Sequence, residues 1–354
     1  MEAYIEENIK IQSIFQNYAS SEDILPYSID EAFLDLTGSL NYFYPQKDLD
    51  RKEKLDRLSR DIQKEIWSET GIYSTVGMSN ANPLLAKLAL DIEAKHTKTM
   101  RANWSYEDVE SKVWAIRRLT DFWGIGRRTA KRLNKLGIFS IKQLAQANPD
   151  RLKKEFGVIG VQLWFHANGV DESDVHDPFH PQSHGIGNSQ ILPKDYERQE
   201  DIELVLREMA EQVAIRLRRR HKKAACIGLY VGFSKKEKRK SIACQKKIEP
   251  SQLTRVLSDH VITLFRQKYQ AGAVRQIAIR YDNLVDDVYQ SFSLFDDTEK
   301  IEKQEKLEST VDRIREKFGF VSLQKGSSLL ENSRSVARSK LVGGHSAGGL
   351  DGLK

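Results

Sequence analysis

The chain has 354 residues, of which 40% are hydrophobic and 30% charged, with a formal net charge of +6. That leaves room for two or three domains with ordinary cores and excludes general disorder, while the small positive balance favours a polyanionic partner without fixing one. Two cysteines far apart, Cys226 and Cys244, form neither a disulfide framework nor a zinc ribbon and fit a reduced, cytoplasmic setting. No apolar run approaches membrane-spanning length, and MEAYIEENIKIQSIF is amphipathic and acid-rich, unlike a signal peptide.

Residues 4–18 place Ile11, Ile14, Phe15 and Tyr18 at helical spacing. After Pro26, the string YSIDEAFLDLTG reads as a strand ended by Gly38. Residues 49–69 are a charged helix with Leu55, Leu58, Ile62 and Ile66 on one face, followed by a strand from Ile72 to Met78 and a helix over 84–94. From Trp114 to about Gly169 the pattern is all helical, in short pieces broken by glycines. The stretch DESDVHDPFHPQSHG reads as a linker. Its His176, His180 and His184 have metal-ligand spacing for a helix, but Pro178 and Pro181 prevent that helix. Strand (184–192), helix (200–221), strand (225–233), strand (241–248), helix (250–269) and strand (274–282) then give the β-α-β-β-α-β order of a ferredoxin-like layer. A last helix is predicted in the tail, with Leu307, Val311, Ile314 and Phe318 on one face, before a glycine-rich end.

Five stretches carry chemistry. Asp30 and Glu31 stand side by side in S-I-D-E-A-F-L-D-L-T. Neighbours on a strand point to opposite faces, so a turn or bulge is needed before both serve one site. A pair of hard carboxylates suits divalent metal ions, although an exposed acid pair at a strand end is the common alternative. In GMSNANPLLAKLALDIEAKH, Lys87 and Lys95 are mobile ammonium groups suited to phosphate oxygens, and spacing alone equally allows solvated helix lysines. Residues 119–133 read as two helices joined by a Gly124-Ile125-Gly126 turn, a helix–hairpin–helix whose exposed amides would bind phosphate. Arg127, Arg128, Lys131 and Arg132 surround that turn, and a weaker hairpin follows at Phe156-Gly157-Val158-Ile159-Gly160. Arg216, Arg218, Arg219, Arg220, Lys222 and Lys223 close one helix of the last domain, and Lys235, Lys236, Lys238, Arg239 and Lys240 fill a hairpin. The helix C-terminus accounts for part of the first run without any DNA. Finally, Gln290, Phe292, Leu294 and Phe295 make a short apolar peptide beyond the last strand.

Taken in this order, the motifs resemble the Y-family (UmuC-like, translesion) DNA polymerases. The resemblance implies an α+β multidomain fold. Residues 1–102 would be a partial palm with the central catalytic motif, 103–172 a helical thumb with helix–hairpin–helix motifs, and 173–183 a linker. Residues 184–286 would be a ferredoxin-like little finger, and 287–354 a clamp-binding peptide with a C-terminal tail. It also implies that Asp30 and Glu31 hold Mg2+, two ions in a complete member, and that Lys95, with Lys87, contacts the triphosphate. Gly124, Gly126, Arg127, Arg128, Lys131, Arg218, Arg220, Lys236 and Lys238 would bind template–primer DNA. Gln290, Phe292, Leu294 and Phe295 would bind the bacterial sliding clamp, although the glutamine stands one residue further from the Leu-Phe pair than in the usual peptide.

One departure stands at the front. Residues 1–26 already correspond to the stretch before the central motif, so the palm strand with another metal-binding Asp and the fingers are expected to be missing. Two carboxylates in place of three should hold metal weakly and out of register, where small displacements of reacting atoms are costly. The expected activity is therefore lesion-bypass DNA synthesis in DNA repair and SOS-type damage tolerance, using deoxynucleoside triphosphates, and inactive in this chain alone. An N-terminal fragment encoded upstream would be a further partner. The alternative is a non-catalytic DNA- and clamp-binding remnant.

Overall fold

The computed structural model describes residues 2–177, 185–287, 297–339, 341–342 and 345–346. Its contacts divide the chain into one unit of residues 3–179 and a second formed essentially by residues 180–354. The expected clamp peptide, Gln290, Phe292, Leu294 and Phe295, lies outside the described residues, as do His180 and His184.

In the first unit, α1 (Glu2–Phe15) is followed by a hairpin of β1 (Ile24–Pro26) and β2 (Ala32–Leu34), a short α2 (Leu40–Phe43) and the long α3 (Arg51–Thr70). Asp50 caps α3 by accepting from the Glu53 amide at 2.7 Å, and Gly71, at φ 69°, ends it in the left-handed conformation that glycine adopts without a Cβ penalty. Leu58, Ile62 and Ile66 of α3 pack with Ile14, Leu36 and Leu40. Residues 27–36 do not form one strand: the chain turns back through 27–31, so Asp30 sits in the turn of a hairpin and not on a strand.

Beyond α3, β3 is confined to Val76–Met78 and pairs in parallel with β4 (Arg101–Asn103), a strand that the sequence reading missed. Between them runs α4 (Pro83–Leu88), with Pro83 in its first turn and Asn82 accepting from the Leu85 amide at 2.9 Å. This helix widens into a π turn at Ala89–Glu93 and tightens into a 3-10 turn at Ala94–His96. Gly77 allows the strand to approach this segment, since a Cβ there would stand 2.0 Å from the Ala86 carbonyl oxygen. Leu84, Leu85 and Leu88 share one buried cluster with Trp104, Val113, Leu133, Ile141, Leu144 and Leu163. These last residues surround or belong to α5 (Arg127–Lys135), α6 (Ile141–Ala145), α7 (Pro149–Phe156) and α8 (Val158–Ala167).

The second unit contains β5 (Ile186–Tyr196), α9 (Gln199–Arg219), β6 (Lys222–Phe233), β7 (Ile242–Ser251), α10 (Thr254–Lys268) and β8 (Val274–Asp286). The sheet runs β5-β8-β6-β7 with every neighbour antiparallel. Both βαβ crossovers are therefore split: β5 and β6 flank β8, and β7 and β8 flank β6. Leu206, Met209 and Val213 of α9 and Val261 and Phe265 of α10 cover one sheet face, meeting Ile227, Ile277 and Tyr281.

The tail helix α11 (Thr298–Phe318) is present, but its buried positions are Glu308 and Arg315. Of the expected apolar face, Leu307, Ile314 and Phe318 are exposed and Val311 is half-buried. Charge pairing, not apolar burial, docks this helix. Arg315 Nη1 lies 2.9 Å from Glu211 of α9, and Lys325 Nζ reaches the same carboxylate at 2.9 Å. Farther along, the Arg334 amide donates to Glu208 at 2.8 Å, just before α12 (Ser335–Ser339).

Candidate active site and nucleic-acid interface

The β1–β2 hairpin positions the acid pair. Tyr27 and Ser28 donate their amides to the Glu31 carbonyl at 2.9 and 3.0 Å, and Asn8 Nδ2 donates to the Ile29 carbonyl at 2.7 Å. These bonds fix a turn whose exposed Asp30 accepts from Ser28 Oγ at 2.6 Å. Glu31 has a different partner, with Oε1 2.5 Å from Lys87 Nζ. The turn that two adjacent acids require is thus present, and it gives them different surroundings.

Lys87 and Lys95 come from the α4 segment, and Asp91 between them holds both. Lys87 Nζ lies 3.2 Å from Asp91 Oδ2, and Lys95 Nζ lies 2.7 Å from Oδ1. Residues four apart are neighbours on a helix surface, which lets Asp91 reach both Lys87 and Lys95. The Lys87 side chain is only 9% exposed, whereas that of Lys95 is 49% exposed. Burial disfavours the Lys87 ammonium, yet its bonds to Glu31 and Asp91 outweigh burial and hold its pKa above the usual lysine value. Asp91 was not singled out from the sequence; only its i+4 spacing from Lys87 and to Lys95 marked it.

Magnesium uses oxygen donors and commonly takes one or two carboxylates, completing its shell with water and substrate phosphates. Asp30 and Glu31 fit that donor chemistry. No group of three or more His, Cys, Asp or Glu suited to a metal occurs among the described residues.

The helix–hairpin–helix turn is more compact than its sequence predicts. Its first helix is a single 3-10 turn, Leu119–Asp121, and Gly124 at φ 87° leads through the buried Ile125 to Gly126, the N-cap of α5. No side chain caps α5, so its first amides remain available to an anion. Gly124, Gly126, Arg127, Arg128 and Lys131 are exposed. Arg132 instead bonds Glu155 at 2.9 Å and lies over the Phe156 ring, tying this turn to the second hairpin. At that hairpin, Gly160 allows close packing: a Cβ there would stand 2.3 Å from the Leu152 carbonyl. The β1–β2 hairpin approaches the first turn, with the Tyr27 and Trp123 rings 6.2 Å apart.

Within the second unit, Arg220, Lys236 and Lys238 are exposed as expected. Arg218 is not. Its guanidinium bonds Asp312 at 2.6 Å and Glu308 at 2.7 Å and donates to the Gln252 carbonyl at 3.0 Å, with 12% of the side chain exposed. It locks α11 onto the domain, and these acids already balance its charge. On the sheet face opposite the helices, Gln245, Lys247, Arg280 and Asp282 line a depression of about 390 Å³. Strand alternation could have found Arg280, because Ile279 and Tyr281 on either side of it enter the core.

Comparison with known proteins decides the family. Models of the impB/mucB/samB family match residues 1–91, of its helix–hairpin–helix motif residues 106–138, and of its C-terminal domain residues 183–294. The chain is 37% identical to UvrX of Bacillus subtilis, named as a UV-damage repair protein, over 98% of this chain and 79% of that one. It is 31% identical to DNA polymerase IV 2 of Halalkalibacterium halodurans, over 98% of this chain and 81% of the relative. The chain belongs to the Y-family of DNA-directed DNA polymerases. A solved Y-family polymerase chimera of Dbh and Dpo4 superimposes with a TM-score of 0.61 at 22% identity, covering 80% of this chain and 77% of the other. The Y-family fold accommodates both the helix–hairpin–helix and the four-stranded domain described above. No helix among the described residues is long and apolar enough to cross a membrane.

Proposed function

We propose that this chain takes part in lesion-bypass DNA synthesis, with template–primer DNA and deoxynucleoside triphosphates as substrates. The observation that carries the reading is the hairpin turn that presents Asp30 outward while setting Glu31 against Lys87, with Lys95 on the same helical line. Asp30 and Glu31 would hold magnesium, which when bound neutralises phosphate charge and favours ionisation of the attacking 3′-hydroxyl. Lys95 is exposed enough for its ammonium to meet a triphosphate, and the buried Lys87 balances the half-buried carboxylates of Glu31 and Asp91. The Gly124–Gly126 turn with Arg127, Arg128 and Lys131 would hold the DNA backbone without reading sequence. Arg220, Lys236, Lys238, Lys247 and Arg280 would do the same from the second unit. The Gln290, Phe292, Leu294 and Phe295 peptide would engage the sliding clamp.

Primer extension with Mg2+ tests this reading, with Asp30→Ala as the control. Extension abolished by that substitution supports it, and no extension by the unaltered chain leaves only a binding role. The second reading, a DNA- and clamp-binding protein without its own polymerase activity, is favoured by one observation: no third metal-type ligand joins the acid pair among the described residues.

A further inference from the structure

Glu31 faces a conflict that the geometry exposes. Its Oε1 is held 2.5 Å from the Lys87 ammonium, so a divalent cation arriving at the same carboxylate meets a resident positive charge. Lys87 cannot answer by moving into water, since its side chain is 9% exposed. A buried ammonium left without a partner is costly. One other acid is already in place, Asp91, whose Oδ2 is 3.2 Å from the same nitrogen.

We propose that Asp91 is a positioning residue that accepts Lys87 when a divalent cation takes Glu31, while its second oxygen keeps Lys95 turned toward the triphosphate. The i, i+4 spacing along this helical segment serves this purpose, because it puts one carboxylate within reach of a lysine on either side. Lys87 thus acts as a counter-ion in the metal-free site, and Asp91 sets how readily it yields. This inference rests on the assignment of Glu31 as a metal ligand.

The test is a mutant cycle read by Mn2+ binding to the full chain, followed through the electron paramagnetic resonance signal of the free ion. Asp91→Asn should weaken Mn2+ binding by about fivefold, because Lys87 then stays on Glu31 and reduces the competent fraction of the site. Lys87→Met should tighten it by a similar factor. The double variant should match Lys87→Met, and Asp91→Glu should return binding close to that of the unaltered chain. Loss of the same factor from Asp91→Asn in the Lys87→Met background would mean that Asp91 acts only through its field, and would overturn the proposal. An unchanged Asp91→Asn would do so as well. Failure of the metal assignment itself would show differently, as no Mn2+ uptake by the unaltered chain. Thermal melts of each variant identify any that fail to fold, and the Asp91→Glu comparison then carries the test.

Discussion

Two arginine-rich segments that look alike in sequence are used in opposite ways. At the helix–hairpin–helix, Arg127 and Arg128 stand exposed at the start of α5, beside amides that no side chain caps. At the end of α9, Arg218 is enclosed by Glu308 and Asp312 and joins α11 to the sheet domain. The difference teaches that a cluster of cations stays open to a phosphate only where no acid from elsewhere in the chain has reached it first. The acids that claim Arg218 lie about ninety residues further along, beyond the reach of any local pattern.

The largest effect that would break this contrast is at Arg218. Arg218→Ala leaves two mostly buried carboxylates without their cation, although Glu308 keeps its bonds from the Thr254 amide and Gln304, and is expected to destabilise the fold by about 3 kcal/mol in a denaturant titration. The folded fraction should bind DNA with an unchanged salt dependence. A weaker salt dependence would place Arg218 on the DNA after all.

Next comes the backbone that sets the charged site. In Gly77→Ala the new Cβ would meet the Ala86 carbonyl at 2.0 Å and the Leu90 amide at 2.5 Å, so α4 must shift with Lys87. Overpacking of this kind costs about 1–3 kcal/mol. Thermal denaturation would measure it, and a neutral result would show that the strand–helix approach is slack.

The combined Arg127→Ala, Arg128→Ala and Lys131→Ala variant should leave stability nearly unchanged. It should flatten the plot of log affinity against log salt by about 2 to 3 in slope. An unaltered slope in a salt titration with primer–template would remove the turn from the interface.

The smallest effect concerns an exposed cation. His176 bonds Asp23 at 2.8 Å and Asp174 at 2.7 Å, and these bonds, the one to Asp23 first, raise its pKa to about 9. Because the folded-state value lies above the ordinary one near 6.5, this tether is fully present below that value and is lost as pH rises through about 9. An NMR titration of His176 should show the raised midpoint, and Asp23→Asn should lower it; a midpoint near 6.5 in the unaltered chain would mean that the tether does not form in solution. Since the ring is exposed, stability should hardly change.

Much of the architecture was legible because it depends on short-range patterns. Apolar periodicity located the long helices, and the β-α-β-β-α-β order was readable from alternating strands and helices. Glycines marked the helix–hairpin–helix. The acid pair and both lysines could be named, yet their roles toward one another could not. Asp30 and Glu31 were read on a strand because Phe33 and Leu34 are good strand formers, while the reversal at residues 27–31 depends on pairing with residues 24–26. The outward Leu307, Ile314 and Phe318 were read as a buried face because apolar spacing is the usual docking signal. On α11 the ion pairs with α9 prevailed.

By itself the sequence determined the long helices and the β-α-β-β-α-β order of the second unit, and which residues carry charge at intervals suited to metal, phosphate or DNA. Tertiary structure alone decided which of those charges remain open. It joined Glu31 to Lys87 across 56 residues, shared Asp91 between two lysines, and closed Arg218 inside the tail. The reason is physical: secondary structure follows from neighbours a few residues apart, whereas the fate of a charge depends on which opposite charge the fold brings within about 3 Å, and on how little water is left around the pair.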